Sequence, residues 1–549
     1  MIQTRNVLFL LLACVIFYFL PLPFHGLWVP DEPRYAQISQ EMLSTGNWAA
    51  PHFMGLRYFE KPAAGYWFIA LAQQVFGQNL FGVRFASALT TTLSVLLTYF
   101  LARRLWNDPR RALAASGIYM SCALIAGQAG YANLDPQFTF WVNLSLVAFW
   151  LAITCDTRNK RVASWALVGI ACGMGFMTKG FLALLLPVIV AVPLALRLKL
   201  TGQLLRYGWV AVLIAGALAL PWMLAVHRLE PDYWNFFFWH EHIRRFAAED
   251  AQHTRPFWFY LPLLVVACVP WAGLLPAAAV EFWRKRQQPG LFFLGLWFLL
   301  PLIFLSFSRG KLPTYIMPCI LPLSLLIAHA LINAVDNGRL RALRVNALLN
   351  LSGGIALAIG VIYVQLKKPV YHDEPLELSL IALALGCWIA GNLLAWRKPS
   401  QLWLAPALAM LALLALLPAA LPHSLVNKKT PDGFVASHID ALRQSHSLLS
   451  NELGAASALA WRTGNRDITL YNAAGEVKYG LAYPDASNRQ VTRETVQQWM
   501  TAARKTGSVG VVLRVKGEGE QFELAALPTD GQRFDQGELV ILLYDQTPP

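Results

Sequence analysis

The sequence predicts an all-α polytopic membrane domain of about 13 spans, with interfacial helices between some of them and a small soluble α/β domain at the C-terminal end. Three observations lead there. Only 14% of the 549 residues are charged and the mean hydropathy is +0.45, whereas a soluble domain carries roughly 25% charged residues. Apolar stretches of about 17 to 25 residues recur from Val7 to Leu421, each long enough to cross a hydrocarbon core of roughly 30 Å as a helix. From about His423 that pattern gives way to shorter mixed runs.

The first span, Val7 to Phe24, is preceded by Arg5 and followed by Pro-Phe-His-Gly-Leu-Trp rather than a small-residue cleavage site, so it is expected to remain as an anchor. The segments between later spans alternate in character. One set is short and basic: Arg103, Arg104, Arg110 and Arg111; Arg158, Lys160 and Arg161; Arg197, Lys199 and Arg206; Arg284, Lys285 and Arg286; Arg339, Arg341 and Arg344; Arg397 and Lys398. By the positive-inside rule these loops are cytoplasmic. The apolar run from Ser164 to Leu196 is too long for one span, and its interruption near Met177-Thr178-Lys179-Gly180 reads as an outer turn carrying Lys179. With about 13 spans and an inside N-terminus, the C-terminal region lies outside.

Residues 1–422 are therefore expected to form the membrane domain, with a first outer loop at about 25–64 and a long outer loop at about 227–256, and residues 423–549 the soluble domain. In the latter, strands are expected at Asp467 to Tyr471, Val509 to Val515 and Glu538 to Tyr544, with helices at Phe434 to Arg443 and Arg493 to Arg504. No internal repeat is visible, which weakens a reading as an inverted-repeat transporter. The net charge of +14 is spread between hydrophobic spans, as topology signals are, and not gathered on a face that would bind nucleic acid. The seven cysteines lie in or beside apolar segments without metal-type spacing.

Candidate chemistry gathers in the outer loops. The first reads Trp28-Val29-Pro30-Asp31-Glu32-Pro33-Arg34-Tyr35, then an amphipathic stretch through Met42, then Arg57-Tyr58-Phe59-Glu60-Lys61-Pro62. Asp31 and Glu32 fit a helix N-terminus as well as a reactive pair; Arg34 and Tyr35 beside them favour the second reading. Glu60-Lys61 fits a solvated pair at a span entrance equally well. Asp135, before Pro136, is most simply a turn residue, and Lys179 could snorkel to headgroups. The loop from His227 to Arg255 holds Trp234, Phe236, Phe237, Phe238, Trp239, His240, Glu241, His242, Arg244 and Arg245, a composition suited to the membrane interface. His240-Glu241-His242 lacks the HExxH spacing, because position 244 is Arg, so an interfacial histidine is the simpler reading than a metal ligand. Taken together, cations, carboxylates and aromatics on one side suit a lipid-linked sugar phosphate, whose departure needs preorganised positive charge more than a proton donor.

These residues resemble the GT-C integral-membrane glycosyltransferases and, more closely, the aminoarabinose transferase (ArnT) family of Gram-negative bacteria. The resemblance spans essentially the whole chain. It is carried by Asp31-Glu32-Pro33-Arg34-Tyr35, Tyr58-Phe59-Glu60-Lys61-Pro62 and Ser308-Arg309-Gly310-Lys311-Leu312-Pro313-Thr314-Tyr315. It implies a multi-pass protein of the bacterial inner membrane with its site facing the periplasm, transferring 4-amino-4-deoxy-L-arabinose from undecaprenyl phosphate to lipid A phosphates with inversion, and so conferring polymyxin resistance. It further implies Asp31 as the catalytic carboxylate, flanked by Glu32, with Asp135 as its second-loop partner. Lys61 and Arg245 are implied as ligands of the carrier phosphate, and Arg34, Tyr35, Tyr58, Lys179 and Tyr315 as cavity contacts. A structural zinc ion near Glu60 and His240 is implied as well, with no organic cofactor. The rival readings are another GT-C transferase using a polyprenyl-phosphate sugar, such as a protein O-mannosyltransferase, and a lipid flippase or secondary transporter, which the scarcity of charge within the spans disfavours.

Overall fold

The computed structural model describes residues 2–239 and 254–547. The chain folds into two compact units, Met1–Leu22 with Arg84–Ala420, and Pro23–Val83 with Leu421–Pro549. This grouping is discontinuous in sequence, and so differs in kind from a division drawn along the chain at residue 423.

The first unit is helical. Among the described residues eight helices are long and apolar enough to cross a membrane, and eleven spans result if each of three bent helix pairs is counted as one. Thr4–Phe19 and Leu182–Arg197 are shorter apolar helices. The run from Ser164 to Leu196 breaks where Lys179 ends helix Arg158–Lys179; Gly180, with φ +88°, turns the chain into helix Leu182–Arg197. Glycine is required there because a Cβ disfavours that backbone region. Among the eight, Pro313–Asp336 is the most enclosed, with 94% of its most apolar stretch buried, and Arg341–Lys367 the least, with 11%. Leu205, Val212, Ile359 and Leu366 are exposed. A soluble protein rarely displays so much apolar surface, whereas hydrocarbon solvates it. This is a multi-pass membrane protein.

The second unit joins the loop segment Pro23–Val83 to a sheet domain. The loop contributes helix Asp31–Thr45, a small antiparallel hairpin of β1 (His52–Phe53) and β2 (Leu56–Arg57), and helix Ala64–Phe76. The C-terminal part contributes β3 (Ser447–Ser450), β4 (Ile468–Tyr471), β5 (Gln490–Val491), β6 (Val509–Arg514), β7 (Gln532–Gln536) and β8 (Leu539–Tyr544), in the order β5-β4-β3-β6-β8-β7. The strands from β5 to β6 are parallel and β8 and β7 antiparallel. β4 and β6 are buried along their whole length, as continuous apolar runs in a covered parallel sheet should be. Helix Leu453–Thr463 crosses from β3 to β4, and Trp461 on it donates from Nε1 to Gln73 Oε1 at 3.0 Å. Asp432, fully buried, accepts from Leu27 N at 2.7 Å and pairs with Arg462 at 2.6 Å. Buried charge of this kind is tolerated only when paired and hydrogen-bonded.

The expected helix Phe434 to Arg443 is two short helices, Pro431–Ser437 and Ile439–Gln444, and the helix expected from Arg493 begins at Val496. β3, β5 and β7 carry no legible alternation. β3 has two leucines between serines, β5 is two residues long and β7 is a polar edge strand.

Candidate active site

Each unit holds a polar cluster built on residues that the sequence singles out. In the second, helix Asp31–Thr45 follows Pro30, which occupies the N-cap position without a capping side chain. Asp31 and Glu32 thus fall in the first turn, where unpaired N–H groups favour negative charge. They diverge from there. Glu32 is fully buried and its Oε2 accepts from Trp28 N at 2.8 Å, stitching the chain entering the helix to its first turn. Asp31 shares a face with Arg34, as i and i+3 do, and accepts from Arg34 Nη2 at 2.5 Å. The contact with Arg34 is made by Asp31.

Arg34 is buried, lies over the Tyr35 ring at 5.0 Å, and pairs through Nη1 with Oε2 of Glu476 from the C-terminal part of the unit. The Tyr58 hydroxyl faces Glu476 Oε2 at 3.1 Å and Glu60 Oε2 at 3.2 Å, and donates its one proton to either. Lys61 Nζ donates to the Glu60 carbonyl at 2.9 Å and stands 3.9 Å from the Glu60 carboxylate. Tyr35 packs against Tyr66 at 5.8 Å. Burial pushes the Tyr58 hydroxyl well above the usual tyrosine range, so it stays a neutral donor. Burial alone would raise the Glu476 carboxyl as well, but Arg34 beside it holds it below the usual carboxylate range. Among the described residues the network therefore sets the carboxylates of Asp31, Glu60 and Glu476 against the cations of Arg34 and Lys61.

In the first unit, Asp135 opens helix Asp135–Thr154 and Lys179 closes helix Arg158–Lys179. Each charge thus complements its own helix dipole. The two form an ion pair with each side chain 12% exposed. The ammonium lies 4.7 Å from the Tyr315 ring and 5.6 Å from Phe138, distances at which aromatic faces attract a cation. Asn133 Oδ1 accepts from Asp135 N at 3.0 Å. The turn and headgroup readings of Asp135 and Lys179 give way to a packed pair with Tyr315 beside it.

His240, Glu241, His242, Arg244 and Arg245 lie outside the described residues. Among the described residues no group of three His, Cys, Asp or Glu is gathered to hold a metal. Glu60 is a carboxylate of a kind zinc accepts, and a structural zinc site takes about four ligands, a set not gathered among the described residues. Glu476 is the member that sequence reasoning missed. It sits in a single short turn, Gly475–Val477, 442 residues from Arg34, and no local pattern marks it.

Residues 426–543 match the family described as Arabinosyl transferase ArnT, C-terminal domain, and residues 6–237 match Dolichyl-phosphate-mannose-protein mannosyltransferase. An undecaprenyl phosphate-alpha-4-amino-4-deoxy-L-arabinose arabinosyl transferase from Pseudomonas paraeruginosa is 59% identical over 540 residues, covering 98% of both chains. A second enzyme of that name from Pseudomonas fluorescens Pf0-1 is 60% identical over 529 residues, covering 96% of both. The crystal structure of ArnT from Cupriavidus metallidurans bound to undecaprenyl phosphate superposes with a TM-score of 0.81 over 98% of both chains at 22% identity, a likeness of fold. The chain belongs to the undecaprenyl phosphate-alpha-4-amino-4-deoxy-L-arabinose arabinosyl transferase family of glycosyltransferases.

Proposed function

We propose that this enzyme transfers 4-amino-4-deoxy-L-arabinose from undecaprenyl phosphate to phosphate groups of lipid A on the periplasmic face of the inner membrane, and so lowers the affinity of the cell surface for polymyxin and other cationic peptides. The observation that carries the reading is the 59% identity to enzymes of that name over nearly the whole chain. On this account residues 1–422 form a GT-C membrane domain in which the three bent pairs and the two shorter apolar helices are spans too, giving thirteen, and residues 423–549 form a periplasmic domain. A phosphatase reporter fused after Thr430 should then be active and a cytoplasmic fluorescent reporter dark; the reverse pattern removes the topology.

The chemistry follows from the substrates. The bond between the anomeric carbon and the carrier phosphate oxygen breaks as an acceptor phosphate oxygen bonds to that carbon from the opposite face, which inverts the configuration. The electron pair leaves on undecaprenyl phosphate. The acceptor oxygen is already anionic near neutral pH, so a strong general base is scarcely needed. Lys61, together with Arg245, holds the carrier phosphate and stabilises the charge growing on it. Asp31 orients the acceptor or binds the sugar's ammonium. Arg34, Tyr35 and Tyr58 shape that side of the site, and Asp135, Lys179 and Tyr315 are further contacts.

Zinc has a structural part in this reading, held by Glu60 and His240, and no step passes through it. Metal analysis of carefully prepared protein should find about one zinc per chain, reduced by Glu60→Ala or His240→Ala. Zinc-free wild-type protein with full activity contradicts this assignment.

Purified enzyme incubated with labelled undecaprenyl-phosphate aminoarabinose and lipid A should yield labelled lipid A. The match of residues 6–237 to protein mannosyltransferases favours a second acceptor class, polypeptide hydroxyls, and label on a peptide in place of lipid A would select it. Label moved across a bilayer without a new glycoside would instead mark a transporter.

A further inference from the structure

The hairpin that leads into Tyr58–Lys61 is held by the C-terminal sheet domain at places the reaction itself does not use. Its turn residues, Met54 and Gly55, have φ of +54° and +74°. This is the left-handed region that a two-residue hairpin turn demands and that methionine resists. The turn persists because its polar backbone groups are engaged. Met54 N donates to Gln37 Oε1 at 3.1 Å, and Gly55 N donates to both oxygens of Glu41 at 3.1 Å. The Met54 carbonyl accepts from Arg489 Nη2 at 2.7 Å.

Arg489 is anchored in turn. The same nitrogen reaches the carbonyls of Arg466 at 2.9 Å and Ile468 at 3.2 Å, and Nη1 stands 3.3 Å from Asp467. A Cβ on Gly55 would stand 3.1 Å from the Arg489 guanidinium. Two residues on, Arg57 pairs with both oxygens of Asp485 at 2.9 and 2.8 Å and lies 4.1 Å from the Tyr483 ring. A Cβ on Gly480 would come within 2.6 Å of the Arg57 carbonyl. Phe59 then packs on Tyr479 at 5.5 Å. From Met54 to Phe59, just before Lys61, the chain thus runs over the sheet domain with repeated contacts.

We propose that Arg489 is a positioning residue for donor binding: by fixing the Met54-Gly55 turn to the sheet domain it sets the place of Lys61, and the C-terminal domain thereby governs affinity for the lipid carrier. This rests on the reading of Lys61 as a carrier-phosphate ligand. A carbonyl anchor is the right device, because a guanidinium spans several acceptors in fixed geometry where an ammonium offers a point charge.

The test uses the purified full-length enzyme and its variants Arg489→Ala, Arg489→Lys, Gly55→Ala and Lys61→Ala, with undecaprenyl phosphate as the binding probe and the labelled donor for turnover. Arg489→Ala should weaken carrier binding and raise the donor KM about tenfold while kcat at saturating donor changes less than threefold, with Arg489→Lys recovering part of the loss. Should Arg489→Ala not yield folded protein, Gly55→Ala decides, since it disturbs the same contact from the turn and should show the same split. Unchanged carrier affinity in whichever of these variants folds, whatever their melting temperatures, overturns the proposal. If they lose affinity while Lys61→Ala does not, the anchor stands as a determinant of donor binding and the reading of Lys61 fails.

Discussion

The clusters around Asp31 and Asp135 use the same elements, a carboxylate in a first helical turn and a cation within reach, yet they are built for different work. Asp135 and Lys179 close on each other, each 12% exposed, beside Phe138 and Tyr315. Asp31 keeps 38% of its side chain exposed, and its partner Arg34 is shared with Glu476, which is shared again with Tyr58. A closed pair fixes structure. A shared network with an exposed carboxylate can exchange a contact with substrate at little cost, because the cation left behind keeps another partner. On the proposed function, this difference suits Asp31 to direct chemistry and the Asp135–Lys179 pair to a fixed contact.

The largest effect should come from breaking the closed pair. Lys179→Ala leaves an enclosed carboxylate uncompensated, a loss on the order of 3–5 kcal/mol, and should lower the melting temperature of the detergent-solubilised enzyme markedly. Combining Asp135→Asn with Lys179→Met should restore much of it. Additive losses in the double variant would mean the two residues do not act as a pair.

Asp31→Asn keeps size and removes charge. Transfer should fall by about 100-fold or more, the scale of losing a transition-state contact, while undecaprenyl phosphate still binds. Near-normal transfer takes Asp31 out of the chemistry and erases the contrast with Asp135. Lys61→Ala and Arg245→Ala should each weaken carrier binding by about tenfold or more along with turnover, since a charge-assisted contact to the phosphate is made in the ground state and tightened as it departs. Unchanged affinity in both leaves them as interfacial anchors.

The smallest effect is a pH dependence. Glu476 has its folded-state pKa lowered below the ordinary carboxylate value of 4.5 by Arg34. Its tie therefore contributes stability that is fully present above that ordinary value and is lost as pH falls through the lowered folded value. Thermal melts from pH 7 down to about 3 should show an acid-side decline that is shallower in Glu476→Gln. Identical acid limbs would remove the Arg34–Glu476 tie from the account.

What the sequence revealed follows the range of the forces involved. Spans were legible because a hydrocarbon core imposes length and apolarity on each helix by itself. The break at Lys179-Gly180 was legible because a cation and a glycine interrupt an apolar run. Asp31, Arg34, Tyr58 and Lys61 stood out because dense charge and aromatics in an outer loop are costly without a purpose. Glu476 was hidden since nothing near it in sequence differs from a surface turn, and Arg489 because its acceptors are backbone carbonyls. β7 was hidden because its polarity is that of an edge. Glu32, adjacent to Asp31 and chemically alike, could be separated from it only by the helix, which turns one carboxylate to the interior and the other to the network.

The central claim is that this enzyme places aminoarabinose on lipid A. It is tested most directly by the mass of lipid A from cells that make the carrier-linked donor but lack this chain, compared with the same cells given the wild-type or Asp31→Asn enzyme. The account predicts lipid A heavier by aminoarabinose units with the wild type alone and an unmodified mass with Asp31→Asn at equal membrane abundance. Unmodified lipid A in the presence of folded wild-type enzyme and donor would contradict it.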